Sequence, residues 1–152
     1  MTEQVPLVDR VPERLRERPT WLISQAFARA SGLLQEGFAQ DGDGLRGYHY
    51  RLLAALDDGG SASQAALGRG TGIDRSDVTA ALVELEGRGL VRRDVNQADR
   101  RRNIVSITDA GTRHLEVLDG VVDEVQERLL APLSADERRQ FVTLMHRIAA
   151  GD

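Results

Sequence analysis

The chain has 152 residues, 41% of them apolar and only 4% aromatic, a formal charge of −4 and no cysteine. That length suits one domain with a substantial core, and the missing cysteine excludes disulfides, thiolate zinc sites and thiol-based peroxide sensing. No apolar run reaches membrane-span length and MTEQVPLVDR lacks the apolar stretch of a signal peptide, so a cytoplasmic location is expected.

In chain order, residues 1–18 read as a loose arm with a helical turn near Glu13. Pro19 then stands where a helix begins, and Leu22, Ala26, Leu33, Leu34 and Phe38 mark an apolar stripe up to about Gln40. DGDG at 41–44 breaks the chain. A second helix over 45–56 buries Leu45, Leu52, Leu53 and Leu56, with Tyr48, His49 and Tyr50 near its start. Ser61 and Gln64 form a capping pattern for a short third helix to about Arg69, and GTG at 70–72 supplies a tight turn. In the next helix Val78, Leu82 and Leu85 share one face; Asp74 is its expected N-cap, Asp77 is placed to complete a capping box, and Gly89 ends it.

Two short extended runs follow, 91–95 and 103–107, joined by a polar turn holding Arg100, Arg101 and Arg102. Thr108 opens a long helix to about Leu130, in which Leu115, Leu118, Val122, Val125 and Leu129 recur with heptad spacing. After Pro132, Ser134 and Glu137 make a capping box for a last helix carrying Phe141, Leu144, Met145 and Ile148.

Two short helices joined by a glycine turn, then a basic hairpin, outline a winged helix-turn-helix. The fold class is therefore mainly α with a small β-wing. Residues 1–44 form an arm and a dimerisation helix, residues 45–108 the DNA-binding lobe, and residues 109–152 further dimerisation helices. Charge supports a DNA partner despite the negative sum. Residues 88–102 carry six Arg against two Asp, whereas residues 109–137 carry eight acidic residues against Arg113 and Arg128. Duplex binding needs a local basic surface, not a basic average. The terminal helices leave apolar surface uncovered, and a second copy of the chain is the simplest cover. The expected interface residues are Leu22, Leu33, Leu115, Leu118, Val122, Val125, Leu129, Phe141, Leu144 and Ile148.

The stretch SQAALGRGTGIDRSDVTAALVELEGRGLVRR, followed by NQADRRRNIVSITDAG and preceded by LRGYHYRLLAAL, resembles the MarR family of winged-helix regulators. The resemblance covers residues 45–111. It implies a homodimer gripping a pseudopalindromic operator and responding to a small ligand, often anionic or phenolic, held between the dimer helices and the DNA-binding lobe. It also implies that Asp99 and Arg101 pair within the wing. Many family members have Thr in place of Asp77 and Arg in place of Ala80, so operator sequences are not transferable.

On the recognition helix, Arg75, Ser76 and Thr79 are placed to reach base edges and nearby phosphates: Arg matches guanine bidentately and Thr can meet a thymine methyl. Asp77 either caps the helix or accepts from cytosine. Arg100 and Arg101 are expected in the minor groove with Arg102 in support, while Arg69, Arg92 and Arg93 are phosphate candidates. Trp21, Tyr48, His49, Tyr50 and Arg51 are the effector-site candidates, since aromatic rings with a few polar tips suit a small-ligand pocket.

The function read from the sequence is a ligand-responsive repressor without cofactor or metal. The alternative is a winged helix used only for protein contacts, against which the clustered wing arginines speak. An enzyme is not expected: His49, His114 and His146 lack metal-ligand spacing, and no phosphate loop or nucleophile–base arrangement is present.

Overall fold

The computed structural model describes residues 11–95, 97–99 and 103–151. The order of elements is α1 (Glu13–Arg16), α2 (Pro19–Asp41), α3 (Gly47–Gly59), β1 (Ala62–Ser63), α4 (Gln64–Thr71), α5 (Arg75–Gly87), β2 (Val91–Val95), β3 (Asn103–Ile107), α6 (Asp109–Leu130) and α7 (Ala135–Ala150). The three strands form one antiparallel sheet in the order β1-β3-β2. Val91 faces Ile107, Val95 faces Asn103, and Ala62 pairs with Val105 on the other side.

The core lies where α3, α4 and α5 meet the sheet and the first half of α6. Leu52, Leu53, Leu56, Leu82, Leu85, Val105 and Leu118 are fully buried there. Leu45, expected inside a helix, is buried just before α3 begins. The helix starts later because Arg46 takes the extended N-cap conformation, and the Arg46 amide donates to His49 Nδ1 at 2.9 Å. A guanidinium has no acceptor to offer in return, so a histidine in the first turn does the capping from one side only.

Three motifs converge at one point between lobe and α6. Gly89, at φ +71°, ends α5 and turns the chain into β2. The Leu90 carbonyl accepts from the Thr108 amide at 3.1 Å. The Thr108 hydroxyl donates to the Gly89 carbonyl at 2.7 Å and accepts from the Gly111 amide at 3.0 Å, capping α6. A Cβ on Gly111 would stand only 2.1 Å from the Leu90 oxygen, so the last residue of TDAG has to be bare.

The heptad pattern of α6 serves a different partner from the one expected. Leu115, Leu118 and Val125 are buried inside the protomer, and Val122 and Leu129 are half-buried, so they are not a free seam for a second chain. The partner is α2, whose Gly37 lets Val125 approach to 2.8 Å of where a Cβ would lie. Period alone cannot distinguish an interior neighbour from an exterior one. The bare apolar surface sits elsewhere. Leu22, Ile23 and Phe27 (72% exposed) project from the first half of α2, with Leu33 half-buried beyond them, and α7 has no buried residue at all. Phe141, Leu144 and Ile148 on α7 are exposed. That helix is kept in place by the Ser134–Glu137 capping box and by Arg138, which donates to the Leu130 and Leu133 carbonyls and pairs with Glu127.

Two expectations follow. Gly111→Ala should lower unfolding free energy by about 1–3 kcal/mol in urea melts at fixed protein concentration, the usual cost of overpacking; a stability equal to wild type would show that the Leu90 carbonyl yields freely. Burial holds the His49 imidazole below its ordinary value of 6.5 despite the opposing Glu84 carboxylate. The fold therefore prefers neutral His49: its contribution is complete above pH 6.5 and declines as pH falls toward the lowered folded value. His49→Gln keeps an acceptor for the Arg46 amide but cannot titrate, so its melting temperature should fall less than that of wild type between about pH 7.5 and about pH 5.5.

Candidate nucleic-acid interface

The helix-turn-helix is α4, the turn at Gly72 (φ +66°) and α5. Ser63, not Ser61, caps α4, its hydroxyl accepting from the Ala66 amide at 3.2 Å. Ser61 is diverted because β1 pairs with β3, which brings its hydroxyl to within 2.8 Å of that of Ser106. Gln64 turns toward the recognition helix and donates to Thr79 Oγ1 at 3.3 Å.

In α5, Val78, Ala81, Leu82 and Leu85 face the core and everything else at the N-terminal end faces outward. Asp74 is the N-cap by backbone geometry, yet its side chain does not cap. The carboxylate accepts from the Ser76 hydroxyl at 2.8 Å, and this bond, with the Arg75 and Ser76 amides, holds it below the usual carboxylate range. No Asp74–Asp77 capping box forms. An aspartate at the third helical position is one methylene shorter than the glutamate that normally reaches back, and Asp77 stays exposed.

The outward side chains differ in what they have left to offer. Among the described residues, Arg69 and Arg75 are exposed, and neither guanidinium makes a hydrogen bond or ion pair within the chain. Ser76 has given its hydroxyl to Asp74. The Thr79 hydroxyl donates to the Arg75 carbonyl at 3.0 Å and receives Gln64, which leaves its methyl group as the free surface. Val83, 55% exposed on the same outer face, is a candidate base contact that apolar periodicity did not reveal, because an outward valine looks like a stray core residue.

The wing strands are tied to the lobe. Arg93 donates through Nε to Glu86 Oε2 at 2.9 Å and its guanidinium lowers the Glu86 carboxyl below the usual range. Arg93 thus braces β2 against the end of α5, its guanidinium engaged by Glu86, and Arg92 pairs with Asp94 at 2.8 Å. Arg100, Arg101 and Arg102 lie outside the described residues, and with them the expected Asp99–Arg101 pair.

The effector candidates do not converge within one protomer. His49 is buried, with one nitrogen on the Arg46 amide and the other 3.0 Å from Glu84. The Tyr50 hydroxyl donates to Asp119 on α6 at 2.9 Å, and its ring lies against Phe38. Tyr48 accepts from Arg46, and Arg51 donates to the Thr71 carbonyl at 3.1 Å. Trp21 is about 25 Å from Phe38 along α2, at 1.5 Å per residue. A surface cleft of about 370 Å³ opens instead beside Asp43, Arg88, Leu90 and His114.

Residues 43–102 match the model of the MarR family. Over 145 residues the chain is 26% identical to the HTH-type transcriptional repressor NicR of Pseudomonas putida, spanning 95% of this chain and 90% of that protein. A crystal structure described as a probable transcriptional regulator from Pseudomonas aeruginosa superposes with a TM-score of 0.77 at 32% identity, covering 89% of this chain and 99% of that one. The transcriptional repressor CouR, bound to a 23-mer DNA duplex, superposes with a TM-score of 0.80 at 28% identity, covering 90% and 96%. With its helix-turn-helix, three-stranded wing sheet and capped α6, the chain belongs to the MarR family of transcriptional regulators.

Proposed function

We propose that the protein is a transcriptional repressor that binds a pseudopalindromic operator as a homodimer and releases it when a small ligand binds. The observation that carries this reading is the outer face of α5. Its inner face is fully used by the core, while Arg75 at its N-terminal end keeps an uncommitted guanidinium facing outward. That combination suits insertion of the helix N-terminus into a major groove. Arg75 reads guanine, Thr79 offers its methyl to thymine, Asp77 accepts from cytosine, and Arg69 and the wing arginines Arg100, Arg101 and Arg102 take phosphates and the minor groove. CouR, similar along nearly the whole chain, is a repressor seen on DNA.

The second copy covers the bare faces of α2 and α7, through Leu22, Leu33, Phe141, Leu144 and Ile148. Residues 1–44 and 109–152 thereby form the dimer body, and residues 45–108 the lobe. Two recognition helices must then stand about 34–36 Å apart, one turn of DNA, or a multiple of it. A ligand that prefers another spacing weakens operator binding by its differential affinity for the two arrangements. Because Trp21 is far from Tyr48 and Tyr50 within a protomer, an effector site that uses all three is completed across the dimer. No catalytic step is assigned: the function is binding. No helix among the described residues is long and apolar enough to cross a membrane, and a cytoplasmic location fits the proposed DNA partner.

A footprint on the DNA flanking its own gene should show a protected palindrome. On that duplex, Arg75→Ala should cost about 1–3 kcal/mol and relax specificity at one base pair, whereas Arg101→Ala should also reduce the salt dependence of binding by about one unit of slope. Fluorescence anisotropy over a salt series reads both, and wild-type affinity and slope in both variants would reject the interface. Ile148→Asp should shift the sedimenting species from dimer to monomer; an unaltered dimer would move the interface away from α7.

A further inference from the structure

The recognition helix is held by more than its apolar face. Val78, Ala81, Leu82 and Leu85 set its depth, but apolar contacts alone specify roll and slide weakly, whereas polar contacts have direction. Directional contacts gather at one place, between the turn after α2, the first turn of α3 and the last turns of α5. Arg88 Nη1 donates to the Asp43 carbonyl at 2.6 Å and stands 3.9 Å from the Asp43 carboxylate. Arg88 Nη2 donates to Glu84 Oε1 at 3.2 Å, and the other Glu84 oxygen lies 3.0 Å from His49 Nε2, off the axis of an ideal hydrogen bond.

Two details show that this cluster is built into the fold. His49 is 1% exposed and its Nδ1 is occupied by the Arg46 amide, so the remaining ring N–H has one direction to point. Gly44, whose φ of +77° suits a glycine, turns the chain sharply beside the Arg88 guanidinium and so presents the Asp43 carbonyl to it. Glu84 and Arg88 are 43% and 35% exposed, too wet for either pair to add much stability. Their effect is on angle.

We propose that Asp43, His49, Glu84 and Arg88 form a strut that fixes the angle of the recognition helix against the joint between α2 and α3. Glu84 and Arg88 are thereby positioning residues for operator recognition without touching DNA. This inference rests on the operator-binding reading above. Since α2 carries part of the proposed dimer surface, an angle set at its foot is passed on to the separation of the two recognition helices.

The test begins with the full-length protein selecting its preferred duplex from a random pool; failure to enrich any sequence would reject the operator-binding reading itself. On the selected duplex, Glu84→Gln and Arg88→Met should each lose specific affinity on the order of ten-fold, the double variant losing no more than either alone. Binding to a scrambled duplex should shift only by the small amount one charge carries, with opposite signs for the two variants, and melting temperatures should stay near wild type. Arg88→Lys, which keeps the charge, should recover part of the loss. A duplex with its half-sites moved apart by one base pair should be refused by wild type and tolerated by the variants. Wild-type specific affinity in both variants, additive losses, equal losses on scrambled DNA, or unfolding would each overturn the strut.

Discussion

The structure depends on the close approach of the Leu90 carbonyl to the first turn of α6. At that point the end of the recognition helix, the start of the wing and the start of the long C-terminal helix are tied together by Thr108 and accommodated by Gly111. A short chain of hydrogen bonds therefore fixes three elements that the DNA and the dimer each need in a set relation. Leu85 and Leu90 are buried beneath it, which seats the three elements on the core.

Much of this was legible in the residue order. Both wing strands fall where their alternation and the flanking Gly89 place them, and α6 begins after Thr108 and ends at Leu130 as its capping and periodicity indicate. What was not legible depended on tertiary partners. The strand β1 has two residues, too few for a period-two signal, yet its pairing decides that Ser63 and not Ser61 caps α4. The heptad of α6 was read correctly as a seam but its partner is α2 of the same chain, because an apolar stripe carries no label for what covers it. Asp74 and Asp77 had the spacing of a capping box without the side-chain length, and the hydroxyl of Ser76 was nearer.

The candidate interface was read more coarsely than the fold. Residue type singles out arginines, but only coordinates separate those already engaged from those that are not. Arg88, Arg92, Arg93 and Arg138 are tied to carboxylates of their own protomer, whereas Arg69 and Arg75 are not among the described residues' ion pairs. Carboxylates are not absent from that end of α5: Asp74 and Asp77 flank Arg75, Asp74 engaged by the Ser76 hydroxyl and Asp77 exposed. Positive charge there is carried by single uncommitted guanidinium groups rather than by a basic face.

The last helix has sixteen residues and buries none of them in its own protomer. Helices of that length are marginal in water without tertiary contacts. The capping box and Arg138 hold the first turn of α7, and under the proposed dimer the order of the rest comes from the second copy. In a cell this makes the shape of the C-terminus a function of dosage. Newly made, scarce chains would carry a frayed and protease-sensitive tail, and abundance itself would complete the fold.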